Sequence, residues 1–372
     1  METFSQDESY MKHALELASK ARLLSPPNPW VGCVIVKSGG IIGEGFTQPP
    51  GNAHAEIVAL RNTLGQAAGA SVYVTLEPCS HYGRTPPCVN ALIEAQVGRV
   101  IVAMEDPDSK VKGKGIDALR NAGIRVDLGL CQSQAIQLLE PYSKHRTHGI
   151  PYCIGKAAVS IDGRMAAQNG SSKWITGPEA RRDVHKLRSE SQAIVVGANT
   201  AMRDLPSLTV RDVLERPFKA PLRVLFDQEG KVPAEGPLFD ISLAPTLVFT
   251  SSAVSEQSRQ AWCKTGAEVE VLPLIENGSK LDLVAAMQIL AKKGALQVLI
   301  EGGPGLLGSF FQAKLLDRLV VYIGPRLLGE QGFPLMRNLF VQSIENAPAL
   351  HLSAVQKFGD SIRSDWTLSA DL

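Results

Sequence analysis

His54, two positions ahead of Glu56, is followed by Cys79 and, after eight intervening residues, by Cys88. One neutral imidazole and two thiolates offset the charge of Zn²⁺ and fill three tetrahedral positions, which leaves the fourth for a water and marks a catalytic composition. Residues two apart on a helix do not face each other, so Glu56 is poorly placed to join His54 on the same metal. It is better placed to take a proton from the water and pass it to a leaving amine, while the metal lowers the pKa of that water toward about 7. The plainer alternative is two buried cysteines and an unrelated surface histidine. The four residues taken together favour one Zn²⁺ per chain, with His54, Cys79 and Cys88 as ligands and Glu56 as the catalytic acid/base.

A second constellation lies late in the chain, where the strand-like run Val298 to Ile300 leads through Glu301 into the glycine-rich turn Gly302-Gly303-Pro304-Gly305 and then a helix. Residues 303 to 308 fit G-x-G-x-x-G, a pattern whose backbone N–H groups can approach a phosphate at a helix N-terminus. A tight strand-to-helix turn wants glycine as well, and both readings stand on the motif alone. A standard dinucleotide unit would place this turn near the start of its domain with an acidic residue about 20 positions later. Neither condition is met.

The elements that must position these residues alternate. Apolar residues at helical spacing run from Asp7 to Leu23 behind a Ser5/Glu8 capping box. Val31 to Val36 and Ile41 to Phe46, joined at Ser38-Gly39-Gly40, read as a hairpin. Ala55 to Leu64 (helix), Ser71 to Leu76 (strand), Cys88 to Ala95 (helix, begun by Pro86-Pro87) and Arg99 to Met104 (strand) follow. The helix Gly115 to Ala122 and the strand Ile124 to Leu128 come next, and the alternation favours an α/β layered fold. The polar helical stretch from Cys131 ends at Gly149-Ile150-Pro151, which sets a domain boundary and gives domains 1–149 and 150–372. Beyond it lie strands at Tyr152 to Val159, Ala193 to Gly197, Leu222 to Phe226, Thr246 to Thr250 and Val298 to Glu301. They are interleaved with helices at Pro178 to Glu190, Leu281 to Ala291 and Leu306 to Leu315, so the second domain is also α/β.

Composition narrows the function classes. With 372 residues, two domains are expected. The 38 Lys and Arg against 37 Asp and Glu leave a net charge of +1, far from the positive balance of a nucleic-acid coat. No segment nears the roughly 18 uninterrupted apolar residues of a membrane helix, and the polar start lacks a signal peptide's apolar core. The expectation is a cytoplasmic protein whose six cysteines stay reduced. Cys33, Cys131, Cys153 and Cys263 lack ligand spacing and read as core or surface residues.

His-x-Glu followed by Pro-Cys-x-x-Cys is the signature of zinc nucleobase deaminases; here eight residues separate the cysteines instead of two. The stretch Thr75-Leu76-Glu77-Pro78-Cys79-Ser80-His81-Tyr82-Gly83-Arg84-Thr85-Pro86-Pro87-Cys88, with Pro27-Asn28-Pro29-Trp30-Val31-Gly32-Cys33 and His54-Ala55-Glu56, closely resembles the bifunctional riboflavin biosynthesis deaminase/reductase family, in which the expanded loop is the normal form. Lys156 to Arg164, Ser172 to Thr176, Arg203 to Arg211 and the Glu301 turn extend the resemblance over almost the whole chain. It implies a cytidine-deaminase-like α/β/α layered first domain and a dihydrofolate-reductase-like α/β second domain, with His81 lining the first pocket off the metal. It further implies that Ala158, Trp174, Thr200, Asp204 and Gly303, Pro304, Gly305, Leu306, Leu307, Gly308 and Ser309 contact NADPH, and that Ser172, Arg188, Leu208, Arg211 and Glu301 contact a phosphoribosylaminopyrimidine substrate. An Arg fork suits a phosphate and a carboxylate suits ribose hydroxyls. Lys156 could donate a proton, and Gln228, where the family varies, is left unassigned.

The implied activity is hydrolytic loss of an exocyclic amine from a diaminopyrimidinone, then hydride transfer from NADPH to the ribose C1′, in a homodimer or higher homo-oligomer that binds neither nucleic acid nor membrane. A tRNA adenosine deaminase would use the same metal chemistry, but its short Cys-x-x-Cys loop and basic groove are absent from the sequence. A non-catalytic zinc scaffold would gain nothing from Glu56 beside an open metal position.

Overall fold

A computed structural model describes residues 6–82, 86–275 and 278–368. Ser5 of the expected capping box and Gly83, Arg84 and Thr85 of the inter-cysteine loop lie outside the described residues. Chain contacts divide the protein into two compact units, Met1–Gly149 and Ile150–Leu372.

The first unit runs α1 (Gln6–Ala21), β1 (Gly32–Lys37), β2 (Gly40–Phe46), α2 (Ala55–Asn62), β3 (Ser71–Val74), α3 (Cys88–Glu94), β4 (Arg99–Val102), α4 (Lys114–Asn121), β5 (Arg125–Leu128) and α5 (Gln132–His148). Its sheet has the order β2-β1-β3-β4-β5. Strand β1 is antiparallel to β2 and β3, while β3, β4 and β5 are parallel. Ser38 and Gly39 both take positive φ, the backbone that a two-residue hairpin turn requires. Helix α1 turns Met11, Ala14, Leu17, Ala18 and Ala21 inward. On β2, a Cβ at Gly43 or Gly45 would stand 2.3 Å or 2.7 Å from a backbone oxygen of α2. Only glycines let α2 press onto the strand, and this seats the helix start that carries His54 and Glu56.

Glu77 ties the same unit together next to Cys79. Its buried carboxylate accepts hydrogen bonds through Oε2 from the N–H groups of Asp106 and Gly113 at 3.1 and 2.9 Å. Oε1 accepts from Gly115 and Ile116 at 2.8 and 3.3 Å. One side chain thereby satisfies the donors that the start of α4 leaves without intrahelical partners and ties the chain just ahead of Cys79 to that loop.

The second unit begins with β6 (Tyr152–Ser160), β7 (Arg164–Ala166), α6 (Pro178–Ser189), β8 (Ala193–Gly197), α7 (Ala198–Asp204), β9 (Leu222–Phe226), β10 (Thr246–Thr250) and α8 (Glu256–Lys264). It continues with β11 (Glu268–Val271), β12 (Leu274–Ile275), β13 (Lys280–Leu281), α9 (Leu283–Lys292), β14 (Gln297–Ile300), α10 (Pro304–Gln312), β15 (Leu316–Gly324), β16 (Phe333–Pro334), β17 (Leu350–Phe358) and β18 (Ser361–Leu368). Nine strands form one sheet in the order β11-β10-β9-β8-β14-β6-β15-β18-β17. Alternate residues of each central strand serve opposite faces. Ala193, Val195, Val298 and Ile300 join Met287, Leu290, Leu307 and Phe310 in one core. Ile194 and Val196 meet Ala201 and Trp262 on the other face, where Leu299 packs with Ala180, Val184 and Leu187. Such double coverage explains why these strands read as continuous apolar runs.

Two of the shifted boundaries have a local cause. Lys280 and Leu281 are strand, and α9 starts at Leu283 because the Asp282 side chain accepts the Ala285 N–H at 3.0 Å as an N-cap. Helix α10 starts at Pro304, two residues ahead of the expected Leu306, since a missing N–H costs nothing in a first turn.

Candidate active sites

His54 is the N-cap of α2, and Glu56 lies in that helix's first turn. Cys88 opens α3, and Cys79 sits on the loop after β3. His54 Nδ1 is 3.6 Å from Cys79 Sγ and 3.3 Å from Cys88 Sγ, and one ligand atom from each residue falls within 4.8 Å of the others. Bonds of about 2.3 Å to sulfur and about 2.05 Å to nitrogen give a tetrahedral S–N edge of about 3.6 Å, so the spacing fits zinc. The Cys88 backbone N–H donates to Cys79 Sγ at 3.4 Å. Hydrogen bonds from Cys88 and from His54 hold the Cys79 thiol well below its ordinary pKa against the opposing effect of burial. A metal-ready thiolate is the result.

Glu56 is 4 % exposed. Burial, with the negative charge of Cys79 beside it, pushes its carboxyl up to about 7, despite the lowering by His54. A carboxyl at that value both accepts and returns a proton near neutral pH. His81 is exposed and outside the three-ligand group. Cys33 and Cys153 are buried, Cys131 is half-buried and Cys263 exposed, all as free thiols.

In the second unit the ends of β6, β8, β9 and β14 border a cavity of about 1000 Å³, at the upper end of the range for ligand sites, roughly 300–1,000 Å³. Ala158, Trp174, Thr200, Asp204, Gly303, Pro304, Gly305, Leu306 and Ser309 line it, as do Ser172, Arg188, Leu208, Arg211, Glu301 and Lys156. Leu307 and Gly308 do not. Leu307 belongs to the core, and a Cβ at Gly308 would lie 2.2 Å from the Arg337 carbonyl oxygen. By contrast, a Cβ at Gly305 meets nothing within 4 Å. Gly303, the extended N-cap of α10, donates its N–H to Thr200 Oγ1 at 3.2 Å. The glycine motif is thus divided: its last glycine admits neighbouring backbone, while Gly303 and Gly305 leave room for an anion at the helix start.

Arg188, expected as a substrate contact, lines the cavity and is also paired within the protein. Its Nε and Nη2 donate to the two carboxylate oxygens of Glu301 at 2.5 and 2.9 Å, and Nη1 donates to Thr209 O at 3.1 Å. Burial alone would raise Glu301, but Arg188, with Lys156 3.9 Å away, holds it at about 2. Lys156 is itself pushed down by burial, against the pull of Glu301. Arg211 is exposed on the cavity wall. Trp174 is 61 % exposed and braced by Arg181, whose guanidinium carbon lies 4.4 Å from the ring centre. Behind Arg188, His185 on α6 is buried with no partner for Nδ1 among the described residues. Burial, with the charges of Arg188 and Arg211, pushes it down to about 4. The sequence reading missed His185, and no motif marks it.

Fold and site together define a zinc-dependent deaminase joined to a nucleotide-dependent reductase. Residues 4–104 match the cytidine and deoxycytidylate deaminase zinc-binding region, and residues 151–363 match the RibD C-terminal domain. The riboflavin biosynthesis protein RibD of Chlamydia pneumoniae is 44% identical over 371 residues, 99% of this chain and 98% of that protein. The structure of Acinetobacter baumannii RibD superposes with a TM-score of 0.88 at 37% identity, covering 98% of this chain and 99% of that one. The diaminohydroxyphosphoribosylaminopyrimidine deaminase/5-amino-6-(5-phosphoribosylamino)uracil reductase of Thermotoga maritima gives 0.85 at 30% identity, over 98% and 99%. The chain belongs to the RibD family: it is a bifunctional deaminase and reductase of riboflavin biosynthesis, with Zn²⁺ and NADPH as cofactors. No helix among the described residues is long and apolar enough to cross a membrane.

Proposed function

We propose that residues 1–149 deaminate a diaminopyrimidinone carrying a phosphoribosylamino group, and that residues 150–372 then reduce its ribosyl chain. The observation that carries this two-site reading is the pairing of a three-ligand centre beside Glu56 with a separate cavity built around Glu301.

His54, Cys79 and Cys88 hold the metal. Bound Zn²⁺ supplies Lewis-acid activation of water. Glu56 Oε takes the proton from the attacking water and returns it to the departing amine, and the burial that sets its pKa also keeps it from bulk solvent. In the second unit, Ala158, Trp174, Thr200, Asp204, Ser309 and the turn 303–306 bind the dinucleotide, with the α10 N–H groups facing its diphosphate. Bound NADPH supplies the hydride. Glu301, kept ionised by Arg188, accepts hydrogen bonds from the ribose hydroxyls, while Ser172, Leu208 and Arg211 hold the phosphate end of the substrate. As C1′ gains hydride and its bond to the ring oxygen breaks, Lys156 Nζ protonates that oxygen.

We further assign a homodimer contact to the reductase unit. Edge strand β17 exposes Leu350, Leu352 and Val355, near-sequence neighbours of the exposed Phe340 and Ile344, and an open apolar edge invites pairing. A reducing cytoplasm suits the free thiols.

The test is to supply the diaminopyrimidinone and follow ammonia and NADPH absorbance with and without a zinc chelator. Ammonia release should precede NADPH oxidation, and chelation should stop both while sparing hydride transfer to the pre-deaminated substrate. NADPH oxidation of the undeaminated substrate under chelation would overturn the order.

A further inference from the structure

One buried charge of the second unit takes no part in the chemistry above. Arg223, the second residue of β9, is fully buried. Its Nη1 donates to Ser207 O at 3.3 Å and to Pro237 O at 2.6 Å, and its Nη2 donates to Asp240 O at 2.9 Å and to Ala244 O at 2.5 Å. All four acceptors are backbone carbonyls. The Asp240 carboxylate accepts instead from the N–H and the hydroxyl of Ser242, at 3.1 and 2.6 Å. A cation taken out of water without a carboxylate beside it is expensive, and an apolar side chain would fill an interior strand position at lower cost. Only a planar guanidinium fork, however, holds four carbonyls at once.

Those carbonyls belong to two walls of the cavity. Ser207 lies on the segment 205–211 between α7 and β9, Pro237 opens the turn Pro237–Phe239, and both line the space. The segment needs outside support, because Leu205 and Leu208 take φ of 43° and 49°, left-handed backbone that a leucine adopts only where its surroundings impose it. Each residue flanking Leu208 gives its carbonyl to an arginine, Ser207 O to Arg223 and Thr209 O to Arg188 at 3.1 Å. Leu208 itself packs in one apolar cluster with Leu238 and Phe239 of the opposite wall. The segment ends at Arg211, exposed on the cavity wall.

We propose that Arg223 is a positioning residue for the reductase substrate. By clamping the segment 205–211 to the wall at 237–244 it presents Arg211 to the substrate phosphate, and so sets the preference for a phosphorylated sugar. This rests on the placement of the phosphate end proposed above.

Reductase kinetics of the full-length protein on the deaminated substrate, and on the same compound without its phosphate, test it. Wild type should prefer the phosphate ester. Arg223→Lys gathers its donors on one nitrogen and leaves at least one carbonyl unmet. It should lower kcat/KM for the ester at least about fivefold, chiefly through KM, and leave the dephosphorylated compound and the affinity for NADPH within about twofold. Arg223→Met should lower it further, and where that variant fails to fold the lysine variant decides. Equal losses on both compounds would reveal a merely structural role and overturn the inference, as would an unchanged preference. Arg211→Ala separates the inference from its premise. It should erase the preference, and Arg223→Lys added to it should change the ratio by less than about twofold, since both act on one contact. If Arg211→Ala erases the preference while Arg223→Lys keeps it, the clamp alone fails; if Arg211→Ala keeps it, the phosphate placement fails as well.

Discussion

The two sites solve opposite problems of positioning. In the first unit, three ligand atoms within 4.8 Å and one buried carboxylate make the whole centre, and the starts of α2 and α3 supply most of it. In the second, chemistry is spread over the ends of four strands around about 1000 Å³, and its strongest charges, Arg188 and Glu301, are spent on each other. A metal tolerates errors of only a few tenths of an ångström and few donor types. A dinucleotide accepts shape, backbone N–H groups and small residues, so residue type says less there.

The contrast can be broken at its most concentrated point. Glu56→Gln should cut ammonia release by about 10²–10⁴-fold, the usual worth of one general acid/base. It should leave NADPH oxidation on the deaminated product intact, and a parallel fall in both rates would mean that the sites are not independent. In the second unit the mutual satisfaction of charges makes acid the probe. His185 titrates near 4 in the fold and near 6.5 when unfolded, so the unfolded chain binds the proton first. Stability from this residue is therefore complete above about pH 6.5 and falls as the pH drops toward about 4, by up to about 3 kcal/mol. Urea melts of wild type and His185→Gln followed by reductase activity should diverge above that window and converge within it; parallel curves would show that Nδ1 carries no such burden. The smallest effect sharpens the comparison most. Because Gly305 faces open space, Gly305→Val should leave the melting temperature within about 1 °C, weaken NADPH about tenfold in a fluorescence titration and spare deamination.

The sequence showed unequal parts of this. His54, Glu56, Cys79 and Cys88 carry their chemistry in their types and spacing, and the α/β alternation shows because double-covered strands such as β14 are unbroken apolar runs. Strands β17 and β18 were missed, since β17 is exposed over nearly its whole length and its side chains follow no buried/exposed alternation. Helices α7 and α8 are short and largely polar, with little periodicity to read. The pairing of Arg188 with Glu301 was not legible, because the two lie 113 positions apart. Gly305 and Gly308 are indistinguishable as letters; only the packing of Arg337 against the latter tells spacer from cradle.

Glu77 gives the loop it anchors an unusual kinetic character. The amides of Asp106 and Gly113, ahead of α4, and of Gly115 and Ile116 in its first turn have no strand pairing, yet all four donate to one buried carboxylate. In deuterated solvent they should label as slowly as the amides of β3, and together, since a single opening of Glu77 would release all of them. Glu77→Gln, which retains the shape but trades one acceptor for a donor, should bring all four into the fast-labelling class in one step.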